Sequence, residues 1–198
     1  MESRANILEA IARNQPPVTA LPNIGNLAVV NYDPVDKFKA TLEGIGGQAI
    51  EIQDFEEVID YIKTYFNEGQ RIISTIPELA AIAETDWQGQ DPHTLENVEL
   101  NILEAQFGVA ENAALWLTEA QLGQRVAPFI TQNLAVVLDK NNLVATMHHA
   151  YDRIGDADYG FGLFLAGPSK TADIEQSLVL GAHGSRSMTV FLVEEFKG

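Results

Sequence analysis

A chain of 198 residues is long enough for one sizeable core, and its 46% hydrophobic and 20% charged residues exclude a disordered chain. The complete lack of cysteine excludes disulfides, thiolate catalysis and thiolate-held zinc, and it removes the usual ligands of an iron–sulfur cluster. A net charge of −16 repels phosphate backbones, so nucleic acid is not an expected partner, and any anion site must create its positive potential locally.

The polar start, Met1 to Asn6, lacks the basic flank and apolar stretch of a secretory signal. The longest apolar runs, such as Leu134 to Leu138, fall far short of a membrane span. The cytoplasm is therefore the expected location. Ser3 is the expected cap of a short amphipathic helix carrying Ile7, Leu8 and Ile11 on one face. Gln15 to Asn26, with Pro16, Pro17 and Pro22, reads as a linker, so residues 1–26 form an arm and 27–198 the main domain.

After Pro34 a helix is expected to Leu42, stopped by Gly44, Gly46 and Gly47. Gln48 to Ile52 reads as a strand, Asp54 as the cap of a helix to about Asn67, and Arg71 to Ile76 as a second strand. That run is βαβ-like and points to a parallel sheet. Alternation at Val98, Leu100 and Ile102 predicts a half-buried strand, and Ala113 to Thr118 another, with Phe107 to Asn112 turning between them. Strands follow at Asn133 to Leu138, Tyr159 to Leu165 and Met188 to Val193. Helices are expected at Leu143 to Ile154 and Thr171 to Leu180. Six or seven strands with interspersed helices make a layered α/β fold.

The segment from Phe161 to Gly184 is richest in chemistry. A strand-to-helix turn at Gly167-Pro168-Ser169-Lys170-Thr171-Ala172-Asp173 would aim backbone N–H groups and a helix dipole at the carboxyl edge of the sheet. The hydroxyls of Ser169 and Thr171 and the charge of Lys170 could then hold a carboxylate or phosphate. The plainer alternative is an ordinary N-cap with a solvated lysine, and Asp173 and Glu175 favour it. His183, between Gly181-Ala182 and Gly184, is either an acid, base or hydrogen-bond donor, or a helix C-cap. Glu111 and Asn112 are either a carboxylate–amide pair at a site mouth or solvated turn residues. The spacing is not that of a Walker loop. Gly44-Ile45-Gly46-Gly47 follows a helix and precedes a strand, the reverse of a dinucleotide loop. Adjacent His148 and His149 cannot chelate one metal from a helix, and Asp152 to Asp158 lacks the glycine and glutamate of a calcium loop, so no metal site is expected.

Gly167 to Glu175 and Leu178 to Gly184 resemble the LUD-domain family of lactate utilisation protein C, whose patterns there are G-P-S-R/K-T-A-D-I-E and L-V-L-G-x-H-G. Phe107 to Asn112 resembles that family's G-I-A-E-T segment. The likeness runs from about Asp33 to Val193. Asn112 replaces a threonine, Ala113-Ala114 replace Gly-Thr, and Ser185 stands where proline often follows His-Gly. The resemblance implies a three-layer α/β/α domain with a mostly parallel or mixed sheet, like those of sugar-phosphate isomerases and CoA transferases. It implies a non-redox subunit of a system oxidising L-lactate to pyruvate, with iron–sulfur clusters on partner proteins. Such a subunit would bind a small carboxylate or phosphate, or organise its partners. Gly167, Ser169, Lys170, Thr171, Asp173, His183, Glu111 and Asn112 are the candidate ligand-binding residues, and Glu111 and His183 the candidate catalytic ones, expected around one cleft. Homo-oligomerisation is compatible with such a domain. The alternative is an independent enzyme acting on a phosphorylated or CoA-linked small molecule, with Glu111 as base or nucleophile.

Overall fold

The computed structural model describes residues 2–20, 22, 25, 30–172, 178–181 and 183–194. Helix α1 (Glu2–Arg13) takes in Ser3, which lies inside the first turn and does not cap it. Its Ile7, Leu8 and Ile11 are exposed. Helix α2 (Pro34–Gly44) starts on a proline, where the missing N–H costs nothing, and the Asp33 carboxylate accepts from the N–H groups of Val35 and Asp36. Strand β1 (Gln48–Ile52) leads to α3 (Phe55–Tyr65), capped as expected by Asp54, and then to β2 (Arg71–Ser74). Two single 3-10 turns, Pro77–Leu79 and Pro92–Leu95, fill the irregular stretch before β3 (Val98–Glu104).

Next come β4 (Phe107–Val109), β5 (Ala114–Thr118), the short helices α4 (Glu119–Leu122) and α5 (Ala127–Ile130), and β6 (Asn133–Asp139). The chain continues through β7 (Leu143–Val144), α6 (Met147–Ile154) and β8 (Gly162–Leu165). It ends with β9 (Lys170–Ala172), β10 (Leu178–Leu180) and β11 (Ser187–Val193). Among the described residues no helix is long and apolar enough to cross a membrane.

The α/β class with a mostly parallel sheet holds. Five strands in the order β1-β11-β6-β3-β2 pair in parallel. A second sheet, β7-β4-β5-β8, is antiparallel except between β4 and β7. Between the two sheets lies a core that includes Phe38 and Leu42 of α2, Leu115, Leu117, Leu134, Val136 and Val190. On the far face of the parallel sheet, Val58 and Ile62 of α3 pack on Ile52, Phe191, Val137 and Ile102. The strands β1 and β2 are parallel but occupy opposite edges, so α3 crosses the whole sheet between them.

Four local expectations are corrected. Phe107 to Val109 is a strand, because these buried residues pair with Trp116, Leu115 and Ala114. The turn is confined to the residues after it, with Ala113 held at φ 57°. Leu143 and Val144 pair beside β4, and the helix starts only after Thr146, whose hydroxyl accepts from the His149 N–H. Tyr159 to Phe161 precedes its strand, which begins at Gly162. Most consequentially, the ends of the helix expected from Thr171 to Leu180 are strands, its middle (173–177) lying outside the described residues. Lys170, Thr171 and Ala172 pair with Leu180, Val179 and Leu178 in an antiparallel ladder. The Ser169 carbonyl accepts from Gly181, so the backbone hydrogen bonds run across the hairpin instead of one turn back along a helix. The extra short strands raise the number above six or seven, and α4 and α5 carried no periodic signal.

The parallel sheet contains one polar anomaly. Asn101 of β3 is fully buried between the cross-strand neighbours Ile73 and Leu134, and neither amide atom has a hydrogen-bond partner. An unpaired buried amide costs more than an apolar side chain of similar size. Asn101→Val is therefore expected to raise stability by about 1–2 kcal/mol, seen as a higher urea midpoint at unchanged slope. A lowered midpoint would mean that the amide is satisfied in solution.

Candidate functional site

The loop after β8 is shaped by Gly167, at φ 67°. A Cβ there would lie 2.9 Å from Ile45 Cδ1, so only glycine lets the loop press this closely on the turn after α2. Pro168 is buried behind it. The Ser169 N–H donates to the Ser185 carbonyl at 2.8 Å, and the Ser169 carbonyl accepts from the Gly181 N–H at 3.0 Å. That N–H is thus already committed, and Ser169 is followed by strand β9 in place of the expected helix and its dipole. The expected backbone cradle gives way to one made of side chains.

Lys170 is exposed and rests on Gly46, just beyond the carboxyl end of α2: its Nζ lies 3.0 Å from where a Gly46 Cβ would stand. The turn His183-Gly184 lies against Ser169, whose Oγ is 3.6 Å from the corresponding point on Gly184. His183 is exposed and follows a strand, so it is not a helix C-cap.

These groups open onto one cavity of about 490 Å³. Asn112, Ser169, Lys170 and His183 line it together with apolar Ile45, Phe129 and Phe164. Asn112 stands at the tip of the β4–β5 hairpin, where its Oδ1 accepts from the Ala114 N–H at 3.1 Å and fixes the left-handed Ala113.

Glu111 points elsewhere and does not line the cavity. Its Oε2 accepts from the Met147 N–H at 2.9 Å, at the amino end of α6, where a carboxylate complements the helix dipole. The Glu111 N–H donates to the Ala145 carbonyl, which also accepts from the Tyr32 hydroxyl. Burial, and then the charge of Glu111, hold the Tyr32 phenol above its ordinary pKa. Thr171 takes its place in the β9–β10 ladder, and Asp173 lies outside the described residues.

The cavity is not at the carboxyl edge of the parallel sheet. Ile45, Phe129 and Ser185 all belong to segments about to enter β1, β6 and β11, so the cavity borders the amino edge. The opposite edge presents Glu51, Glu57 and Glu194 around Lys140, which is already paired with Glu194 at 3.3 Å. An anion would be repelled there, whereas among the described residues lining the cavity Lys170 has no acidic neighbour. Phe129 and Ile45 were not anticipated as wall residues. Phe129 sits on a helix of a single turn, too short to show a period, and Ile45 in what reads as a mere helix stop.

A parallel sheet backed by a second sheet, with its polar cavity built from the β4–β5 tip and the segment from Gly167 to Ser185, defines the class of protein. The LUD-domain family model matches residues 93–193, which include the cavity's polar side chains, and the chain belongs to that family. It is similar to lactate utilization protein C of Bacillus pumilus (strain SAFR-032), 26% identical over 125 residues, covering 57% of this chain and 52% of that protein. Lactate utilization protein C of Oceanobacillus iheyensis is 27% identical over 106 residues, 50% of this chain and 45% of that one. The chain spans about half the length of these curated relatives. A crystal structure of a DUF162 family protein from Deinococcus radiodurans superposes with a TM-score of 0.64 over 81% of this chain and 96% of that one. At 16% identity it shows a shared fold.

Proposed function

We propose that this chain is a non-redox part of a system that oxidises L-lactate to pyruvate, and that its cavity binds a carboxylate or other small anion. The observation that carries the reading is the convergence of Lys170, His183, Ser169 and Asn112 on one cavity, in a chain whose net charge is −16. A local cation and neutral hydrogen-bond donors give an anion a favourable place against that field. The names of the relatives supply the pathway. In lactate oxidation the carbinol C–H and O–H bonds break, a carbonyl forms, and two electrons and two protons leave. With no thiolates in this chain to hold a cluster, the electrons pass to iron–sulfur proteins that it assists. The rival reading as an independent enzyme relied on Glu111 as base, and that carboxylate is engaged at α6 instead.

The test is thermal denaturation of the purified chain with L-lactate, pyruvate, inorganic phosphate and CoA. Saturating upward shifts with the small anions are expected, since a ligand that binds only the folded state stabilises it by about 2.7 kcal/mol at a hundredfold excess over Kd. Mixed with cysteine-rich iron–sulfur partners, the chain should raise their lactate oxidation, less so as salt is added. A chain indifferent to all small anions, or one that oxidises lactate alone, defeats the reading.

A further inference from the structure

The cavity is far too large for a three-carbon acid. At about 490 Å³ it falls in the range that encloses a ligand of drug size, roughly 300–1,000 Å³. Its lining also mixes two chemistries: Lys170, His183 and Ser169 are polar, Ile45, Phe129 and Phe164 apolar. Phe129 Cδ1 comes within 4.0 Å of where a Gly184 Cβ would stand, beside Ser169. Phe129 is 43% exposed although nothing about its short helix requires an aromatic residue at that place. Phe164 is held beside its cross-strand partner, its ring 4.7 Å from that of Trp116 and 5.9 Å from that of Tyr151. An exposed aromatic ring next to polar groups, as Phe129 is, is a stacking platform for a flat partner.

We infer that the natural ligand joins a planar aromatic ring system to an anionic group, the architecture of a mononucleotide. The anion sits at Lys170, His183 and Ser169, and the ring stacks on Phe129. This rests on the anion-site reading above and extends it: a free carboxylate or phosphate meets only the polar groups and binds weakly. Ring stacking on an aromatic side chain adds about 1–3 kcal/mol, or roughly fivefold to more than a hundredfold in affinity. No chemical step on the ligand is implied.

The experiment titrates the full chain with adenosine monophosphate, flavin mononucleotide, adenosine, inorganic phosphate and L-lactate. Calorimetry gives the affinities. The emission of Trp116, which touches the lining residue Phe164, gives a second readout. At least one of the two nucleotides should bind tenfold or more tighter than phosphate and than adenosine. Phe129→Ala, a change at an exposed position, should weaken the nucleotide at least fivefold and leave phosphate binding as it was. If phosphate or lactate binds but the ring adds nothing, or Phe129→Ala costs the nucleotide nothing, the inference is wrong while the anion site stands. If no probe binds, the anion site itself fails and the inference with it.

Discussion

Lys170→Glu is expected to lower anion affinity at the cavity by more than tenfold while leaving stability within about 1 kcal/mol of the parent chain. Two unit charges a few ångströms apart interact by about 1 kcal/mol in bulk water and by about 4 kcal/mol near a protein surface. Reversing the sign removes one such attraction and installs a repulsion, and tenfold in affinity is only about 1.4 kcal/mol. Little stability is at stake because Lys170 is exposed and forms no ion pair among the described residues. Its side chain lies beyond the carboxyl end of α2, where a glutamate would oppose the dipole by about 0.3–1 kcal/mol. Lys170→Met separates the two effects, for it removes the charge without adding an opposing one. Binding should fall by a smaller factor, and the urea midpoint should stay put. Undiminished binding in both variants would place the anion elsewhere.

The second large effect concerns Gly162. A Cβ at this position would lie 2.5 Å from Trp116 Cη2, 2.6 Å from Cζ2 and 3.0 Å from Tyr159 Cε2. Trp116 cannot step aside: it is buried in the row Phe107–Trp116–Phe164, formed by cross-strand partners of β4, β5 and β8. Gly162→Val should therefore cost about 2–3 kcal/mol, or roughly 5–10 °C in Tm. The displaced indole pushes on Phe164, a wall of the cavity, so ligand affinity should fall as well, even below the melting transition. A chain that melts like the parent would show that the second sheet yields more easily than its packing indicates.

Elements with a strong local signal were legible in the sequence. Pro34 and Asp54 announced α2 and α3, and the apolar runs of β1, β6 and β11 could be bounded to within a residue or so. The segment after Ser169 misled because Thr171, Ala172 and Leu178 to Leu180 suit a helix as well as a strand. What decides is remote: the Ser169 bonds to Ser185 and Gly181 tie the hairpin's ends together. The same holds for Glu111. Its motif identified the hairpin tip, but which of two neighbouring side chains faces the cavity depends on where α6 begins, and that is set by pairing at β7. The motifs thus led to the polar residues of the cavity, while the parts of its wall contributed by Ile45 and Phe129 come from segments brought in only by the topology.

That topology has a consequence for how the molecule is made. In the parallel sheet β1 has a single neighbour, β11, and β11 also joins β1 to the block of β6, β3 and β2. The earliest strand of the sheet therefore has no place to bind until β11 (Ser187–Val193) has left the ribosome. During synthesis β6 likewise carries an unpaired edge, with Val136, Val137 and Leu138 available to any passing strand. Completion of the sheet requires closing the long loop from β1 to β11, a step that slows folding much more than it weakens the finished protein. The nascent protein is thus exposed to aggregation for longer than its size alone would suggest, and a chaperone that shields strand edges would act in that interval.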